Sequence, residues 1–415
     1  MQPNIDIVIG AHWGDEGKGK RIDIFSPEYE MVVIYQGGNN AGHTLYIDGK
    51  KIVLHQIPSG IFRQKICVLG AGVVLNPTEL KKEIDKISDF SGFNPELLKI
   101  SYRSHIITPW HIELDNRQDA NNTIGTTKRG IGPTYSDKAS RLGLTAGVYT
   151  SPELFSRWQE RYTQKNPELT TFIQQNQEAW QAFQDAAKHL ANFVEDTEEM
   201  IRTSKNLILV EGAQGTLLDV SHGTFPFVTS SHTISGGVCS SLGLSPHNIR
   251  KIIGITKAYT TRVGSGPMPT ELDDSNAKHL ADVGAERGAT TNRPRRCGWL
   301  DGLALKYACK TNGFTEVIFN KLDVLTGLPE IKYNKSYNRQ QNTITTFPWS
   351  PEHLAECEPN YESFGGWSET LPTTAGGGEL SEQALKYIKD VEKFIETPIT
   401  WAGTGPHREN AIPLN

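Results

Sequence analysis

Cysteine is scarce in this chain: five in 415 residues, an odd number with no C-x-x-C spacing. Cys67, Cys239, Cys297, Cys309 and Cys357 therefore support neither a disulfide framework nor a zinc ribbon. No apolar run approaches the ~20 residues that a membrane helix needs. The opening MQPNIDIVIGAHWGDEGKGK has no basic stretch ahead of its apolar residues. No secretory signal is expected from it, and the cytoplasm is the expected location. A dominant charge is missing too, since 42 Lys and Arg face 47 Asp and Glu, for a net charge of −5. Such a chain has no global reason to bind nucleic acid or a membrane, so any phosphate recognition must be built locally. Linkers and internal repeats are also absent. The stretch Thr373 to Gly378 is read as a surface loop.

Short apolar runs recur at Ile5–Ile9, Met31–Tyr35, Ile66–Gly70, His105–Thr108, Leu207–Val210, Ile252–Ile255, Val317–Phe319 and Ile399–Ala402. Several are rich in Val and Ile without alternation, as strands covered on both faces are. Between them lie amphipathic stretches. Asn76-Pro77-Thr78-Glu79 reads as an N-cap, an N1 proline and an N3 glutamate opening a helix with Leu80, Ile84 and Ile87. Trp180, Phe183, Ala187, Leu190 and Phe193 keep helical spacing, and Ser381 opens a helix carrying Leu385, Ile388 and Ile395. This alternation predicts one α/β domain over residues 1–415, a mostly parallel sheet with helices on both faces. Residues 151–205, rich in Gln and Glu, form its expected peripheral helical subdomain.

Two glycine-rich loops follow the first two strands, at the carboxyl ends where α/β sheets bind ligands. Gly14-Asp15-Glu16-Gly17-Lys18-Gly19-Lys20 has what a phosphate loop needs: glycines, lysines and a following helix N-terminus. It departs from the GxxxxGK-Ser/Thr spacing, and its two acids, if both face phosphates, suit Mg²⁺ or a base beside the transferred group. Gly37-Gly38-Asn39-Asn40-Ala41-Gly42-His43-Thr44 ends in a histidine able to polarise a phosphoryl oxygen. Asn320-Lys321-Leu322-Asp323 has the NKxD form that reads guanine, its carboxylate accepting from N1–H and the 2-amino group. Three arginines within four residues, Arg293, Arg295 and Arg296, call for a dicarboxylate or phosphate partner.

WGDEGKGK, GGNNAGHT, PSGI, GTTKRGIGP, VEGAQGTLLD, TRVGSGP, TTNRPRRCGW and NKLDVL, in this order, resemble the adenylosuccinate synthetase family from about Ile5 to Arg408. The resemblance implies a P-loop GTPase-like homodimer that joins L-aspartate to C6 of IMP through 6-phosphoryl-IMP, consuming GTP with Mg²⁺, on the way to AMP. It implies catalytic roles for Asp15, His43, Lys18 and Gln214, with Asp15 as base and His43 as acid, and a metal held by Asp15 and the Gly42 carbonyl. Asn40, Thr127, Gln214, Thr229 and Val263 match IMP-contacting positions, joined by Arg141 from the neighbouring subunit. Thr290, Thr291 and Arg293 match the aspartate loop. Gly14, Glu16, Gly17, Lys18, Gly19, Lys20, Thr44, Arg295, Lys321, Asp323, Gly403 and Gly405 match GTP-binding positions.

The chain departs from the family pattern at Ile34 (usually Arg), Lys128 and Asn292 (usually Gly), His232 (usually Asn) and Gly403 (usually Ser). These departures bear on which nucleotide and which amino acid are taken. The alternatives are a related ligase acting on another nucleotide such as GMP or dGMP, and a non-catalytic GTP-binding protein. Viral relatives acting on dGMP usually replace the catalytic aspartate, and Asp15 is intact.

Overall fold

The computed structural model describes residues 2–414 apart from 48, 122–124, 289–292, 373 and 375–378. Its frame is a ten-stranded sheet. From one edge to the other run Ala411–Pro413, Ile399–Gly403, Glu316–Asn320, Ile249–Lys257, Ile5–Gly10, Ile208–Glu211, Met31–Ile34, Ile66–Leu69, Leu98–Ser101 and Val194–Glu195. Every neighbouring pair is parallel except the first, which is antiparallel. All six residues of Ile5–Gly10 are buried, with Ile7 opposite Val210 on one side and Ile252 on the other. Its side chains alternate between two cores. Ile7 and Ile9 join Val33, Val210 and Phe319 on one face, while Val8 joins Ile34, Leu69 and Leu209 on the other. Cover on both faces is why these strands read as unbroken apolar runs.

The helix Pro77–Ile87 begins as its sequence predicts, with the Asn76 side chain accepting from the Glu79 amide at 3.1 Å. Ser381 likewise caps Glu382–Ile395. Helices Pro152–Lys165, Glu168–Gln175 and Gln177–Leu190 do not stand apart from the sheet. Trp158, Tyr162, Trp180, Phe183 and Leu190 enter the same core as Ile34, and Val194–Glu195 closes the sheet edge.

Two expectations change. Of His105–Thr108 only His105–Ile106 is a strand, and it pairs with Val74–Leu75 outside the main sheet. Leu98–Ser101 takes the sheet position instead. The antiparallel strands Glu330–Arg339 and Glu358–Gly365 do not stand out as apolar runs because one face is solvated, which mixes Lys, Asn and Ser into the pattern. The expected Thr373–Gly378 loop lies outside the described residues except for Thr374. Among the described residues no helix is long and apolar enough to cross a membrane.

Candidate active site

The loop after Ile5–Gly10 turns sharply into the helix Lys18–Phe25. Gly14, Asp15 and Gly17 all have left-handed backbone, with φ of 84°, 62° and 85°. Gly17 is the helix N-cap, and a Cβ there would lie 3.1 Å from Asn320 Nδ2, so both conformation and space favour glycine. The two acids part company. Glu16 is 2% exposed and folds back, accepting from the amides of Gly14 (2.8 Å) and His12 (3.2 Å) and from Lys18 Nζ (2.6 Å). The expectation of two carboxylates facing phosphates is therefore corrected, because the Glu16 side chain satisfies the loop's own buried donors. Asp15 remains 30% exposed at the cavity, with Oδ2 accepting from Arg295 Nε at 2.9 Å. Lys18 also donates to the Gln214 carbonyl.

His43 opens the strand His43–Ile47. Its Nδ1–H donates to the fully buried Glu211 carboxylate, which also accepts from the Ser59 amide at 2.9 Å and Ser59 Oγ at 2.7 Å. Burial pushes the Glu211 carboxyl up, but His43 and Ser59 outweigh it and hold the group below its ordinary value. An ionised Glu211 orients the imidazole through Nδ1–H and leaves Nε2 for a ligand. Glu211 sits at the end of an apolar strand, and only the tertiary fold brings it to His43, which lies in a separate two-stranded sheet. Its one signal was being the acid in VEGAQG.

At the far end, Asn320 ties the donor-base motif to the phosphate loop. It donates to the Glu16 carbonyl at 2.6 Å and accepts from Arg21 Nε at 3.0 Å. The Lys321 ammonium donates to the Gly284 carbonyl and to Glu286 Oε1, both at 2.6 Å. Asp323 Oδ1 is buried with no hydrogen-bond partner, and burial pushes its carboxyl above the ordinary value. Lys20 donates to the carbonyls of Gly405 (2.6 Å) and Asn410 (3.0 Å), and burial pulls its pKa down to about 7.

These elements enclose one cavity of about 950 Å³. Gly14 through Lys20, Asn40, Gly42, His43, Thr44, Thr127, Gln214, Thr229, Val263, Arg293, Arg295, Lys321, Asp323 and Gly405 all line it. The sequence had scattered them over 390 positions. Thr290 and Thr291 lie outside the described residues. Arg141, at φ 64° and exposed, does not line its own chain's cavity. Gly403 is a correction: it is a buried residue at the end of Ile399–Gly403, off the cavity wall.

The adenylosuccinate synthetase family profile matches residues 7–412. The adenylosuccinate synthetases of Thermoanaerobacter sp. (strain X514) and Geotalea uraniireducens (strain Rf4) are 43% and 44% identical, each alignment covering 98% of this chain and 98% of the relative. The chain belongs to the adenylosuccinate synthetase family. It is a ligase that joins IMP and L-aspartate at the expense of GTP. The structure of a fully ligated adenylosuccinate synthetase from Plasmodium falciparum superposes with a TM-score of 0.92 at 37% identity, covering 99% of this chain and 100% of that one. A cyanophage S-2L succinoaminodeoxyadenylate synthetase bound to dGMP and dATP shares only the fold, at 18% identity and TM-score 0.64.

Three departures from the adenylosuccinate synthetase pattern leave the cavity unchanged. Lys128 adopts φ 55°, a conformation glycine takes without strain, and its ammonium pairs with Asp119 at 3.2 Å, away from the wall. His232 is half-exposed beside Asp219 and off the cavity. At Gly403 a Cβ would come within 2.8 Å of Asn320 Oδ1 and 3.1 Å of Arg21 Nη2. Asn320 and the buried Arg21 guanidinium thus occupy the space a serine side chain would need. Asn292 lies outside the described residues.

Proposed function

We propose that the protein makes adenylosuccinate through 6-phosphoryl-IMP, with Asp15 as general base and His43 as acid. One observation carries this reading: Asp15 and the Glu211-oriented His43 line the same cavity as an unpartnered buried Asp323 oxygen. Asp15 takes the N1 proton of IMP, and the electron pair moves onto O6. O6 then forms a bond to the γ-phosphorus of GTP as the bond to the β-phosphate oxygen breaks and GDP leaves with its electrons. Nε2–H of His43 holds the charge on O6 and the transferring oxygens, while Lys18 offsets charge on the phosphates. The amine of aspartate next attacks C6. The C6–O bond breaks, phosphate leaves with the pair, and the amine gives up a proton. A carbonyl oxygen is a poor leaving group and phosphate a good one, which is the purpose of the first step.

Gln214 and Asn40 hold the IMP base; Gln214 Oε1 is buried and unpartnered in the free protein. Thr127, Thr229 and Val263 complete that pocket. Arg293, which now donates to the Gly125 (3.2 Å) and Thr126 (3.4 Å) carbonyls, takes an aspartate carboxylate together with Thr290 and Thr291. The base of GTP lies against Lys321, Asp323 and Gly405. Mg²⁺ fits the donor set, because the Asp15 carboxylate and the Gly42 carbonyl are hard oxygens. Among the described residues no cluster of three or more His, Cys, Asp or Glu side chains offers a closed metal cage. Asp15 and the Gly42 carbonyl would hold the ion, which would neutralise phosphate charge when bound. Residues 1–415 act as one cytoplasmic catalytic domain.

The test is phosphate release from GTP by purified protein. Release that requires IMP, aspartate and Mg²⁺ together, and stops with EDTA, is expected. Release without IMP, or faster turnover with dGMP than with IMP, would overturn the reading.

Arg141 is exposed on its own chain, which supports its action on the IMP phosphate of a partner subunit in a homodimer. Mixing inactive Arg141→Leu with inactive Asp15→Asn protein is therefore expected to restore activity. Half the dimers are mixed after random exchange and one of their two sites is intact, so about a quarter of wild-type sites return. Demonstrated subunit exchange without recovered turnover would exclude the shared site.

A further inference from the structure

We infer that Glu286, a residue with no place on the cavity wall, is a positioning residue that couples recognition of the donor base to the catalytic carboxylate. The inference rests on the roles proposed above for Asp15 and Lys321. Glu286 is buried and gathers three cations and a hydroxyl. Lys257 Nζ lies 3.0 Å from both its oxygens, Lys321 Nζ 2.6 Å from Oε1, Arg295 Nη1 2.5 Å from Oε2, and Tyr259 donates its hydroxyl. Arg295 continues the chain, its Nε holding Asp15 at 2.9 Å. An unbroken series of ion pairs thus runs from the NKLD lysine through Glu286 and Arg295 to the base.

Glu286 also sits where the aspartate loop begins. Its carbonyl accepts from the Arg295 amide at 3.0 Å, and the Gly288 amide donates to the Arg293 carbonyl at 2.8 Å. The strand pair leading into and out of residues 289–292 is therefore closed by Glu286 and Arg295 through both backbone and side chain. Glu286 thus touches the donor-base lysine and the partner of the base through its carboxylate, and the root of the amino-acid loop through its backbone.

The charge balance explains why a carboxylate is required. Lys257, Lys321 and Arg295 all pair directly with Glu286, Asp15 pairs with Arg295, and Asp323 lies within electrostatic reach of Lys321. Remove the Glu286 charge and Lys257 and Lys321 lose the carboxylate they contact, while Asp15, already bound to Arg295, lies within electrostatic reach of Lys257. Arg295 and Lys321 then reorient, so the base is clamped and the lysine no longer lies where the donor base docks. A buried cation that loses its partner does not stay put at no cost.

Glu286→Gln keeps the shape and removes the charge. Coupling networks of this kind carry effects of about 3- to 30-fold, and the expected result is a rise in the Kd for GTP and a fall in kcat, each within that range. Glu286→Asp is expected to recover most of both. Lys321→Gln, which acts through the same carboxylate, should weaken GTP binding far less in the Glu286→Gln background than in the parent. A purely structural role would instead lower the melting temperature and leave Kd and kcat of the folded protein alone. If Glu286→Gln does not fold, Tyr259→Phe removes one hydroxyl from the same carboxylate and is expected to raise the GTP Kd about threefold. GTP affinity is measured by calorimetry without turnover, so it tests Glu286 even if the parent fails the phosphate-release assay. A parental GTP Kd in the folded variant, or additive effects with Lys321→Gln, would overturn the inference.

Discussion

Replacing Asp15 is expected to lower kcat by more than ~10⁴-fold, the upper range for loss of proton transfer alone, because a metal ligand goes with the base. The carboxylate is the one acid of the phosphate loop left at the cavity, since Glu16 is committed to the loop's own amides and to Lys18. The choice of variant matters. Asp15 has φ 62°, where alanine is strained and asparagine is tolerated, so Asp15→Asn separates chemistry from folding better than Asp15→Ala. Asp15→Asn should melt within a few degrees of the parent and bind GTP, yet turn over negligibly. The measurement is phosphate release in saturating Mg²⁺ beside a melting curve and a GTP titration. A kcat within tenfold of the parent would remove Asp15 from the role of base.

GTP, and not ATP, should be the working donor, by at least ~10²-fold in kcat/KM, and Asp323 should decide it. A buried carboxylate oxygen without a partner is costly to maintain, and guanine repays it with two N–H donors that adenine does not present in that arrangement. Each hydrogen bond to a charged acceptor is worth about 1.5–3 kcal/mol, so the expected ratio follows from one to two such bonds. Asp323→Asn turns one acceptor into a donor that faces the guanine N–H groups. Use of GTP should fall, and xanthosine triphosphate, whose 2-oxo group accepts from the new amide, should gain. Gly403 does not weaken this expectation, since it lies behind the wall against Asn320 and Arg21. Equal kcat/KM for ATP and GTP in the unmodified protein would refute the assignment of Asp323.

The parts of this protein legible in its sequence were those whose physics is local. Strands covered on both faces are continuous apolar runs, so most of the central sheet could be read off, from Ile5–Gly10 to Glu316–Asn320. Phosphate and base recognition use backbone loops directly after strands, so Gly14 to Lys20 and Asn320 to Asp323 are contiguous words. The side-chain N-caps at Asn76 and Ser381 are likewise complete within four residues. What the sequence could not decide was where individual charges point and whom they meet. Glu16 and Asp15 are neighbours of one chemical type, and only the fold sends the first inward and the second to the cavity. Lys128, a departure from the family pattern that bears on the nucleotide taken, pairs with Asp119. Glu211 and Glu286 carry no motif of their own. The first meets His43 168 positions away because a separate two-stranded sheet, headed by His43, lies over the end of Ile208–Glu211, and the second gathers Lys257, Arg295 and Lys321 because the ends of three strands converge there. A carboxylate buried at such a crossing acquires its role from the cations the tertiary structure delivers to it, and that delivery is not written in the residues on either side.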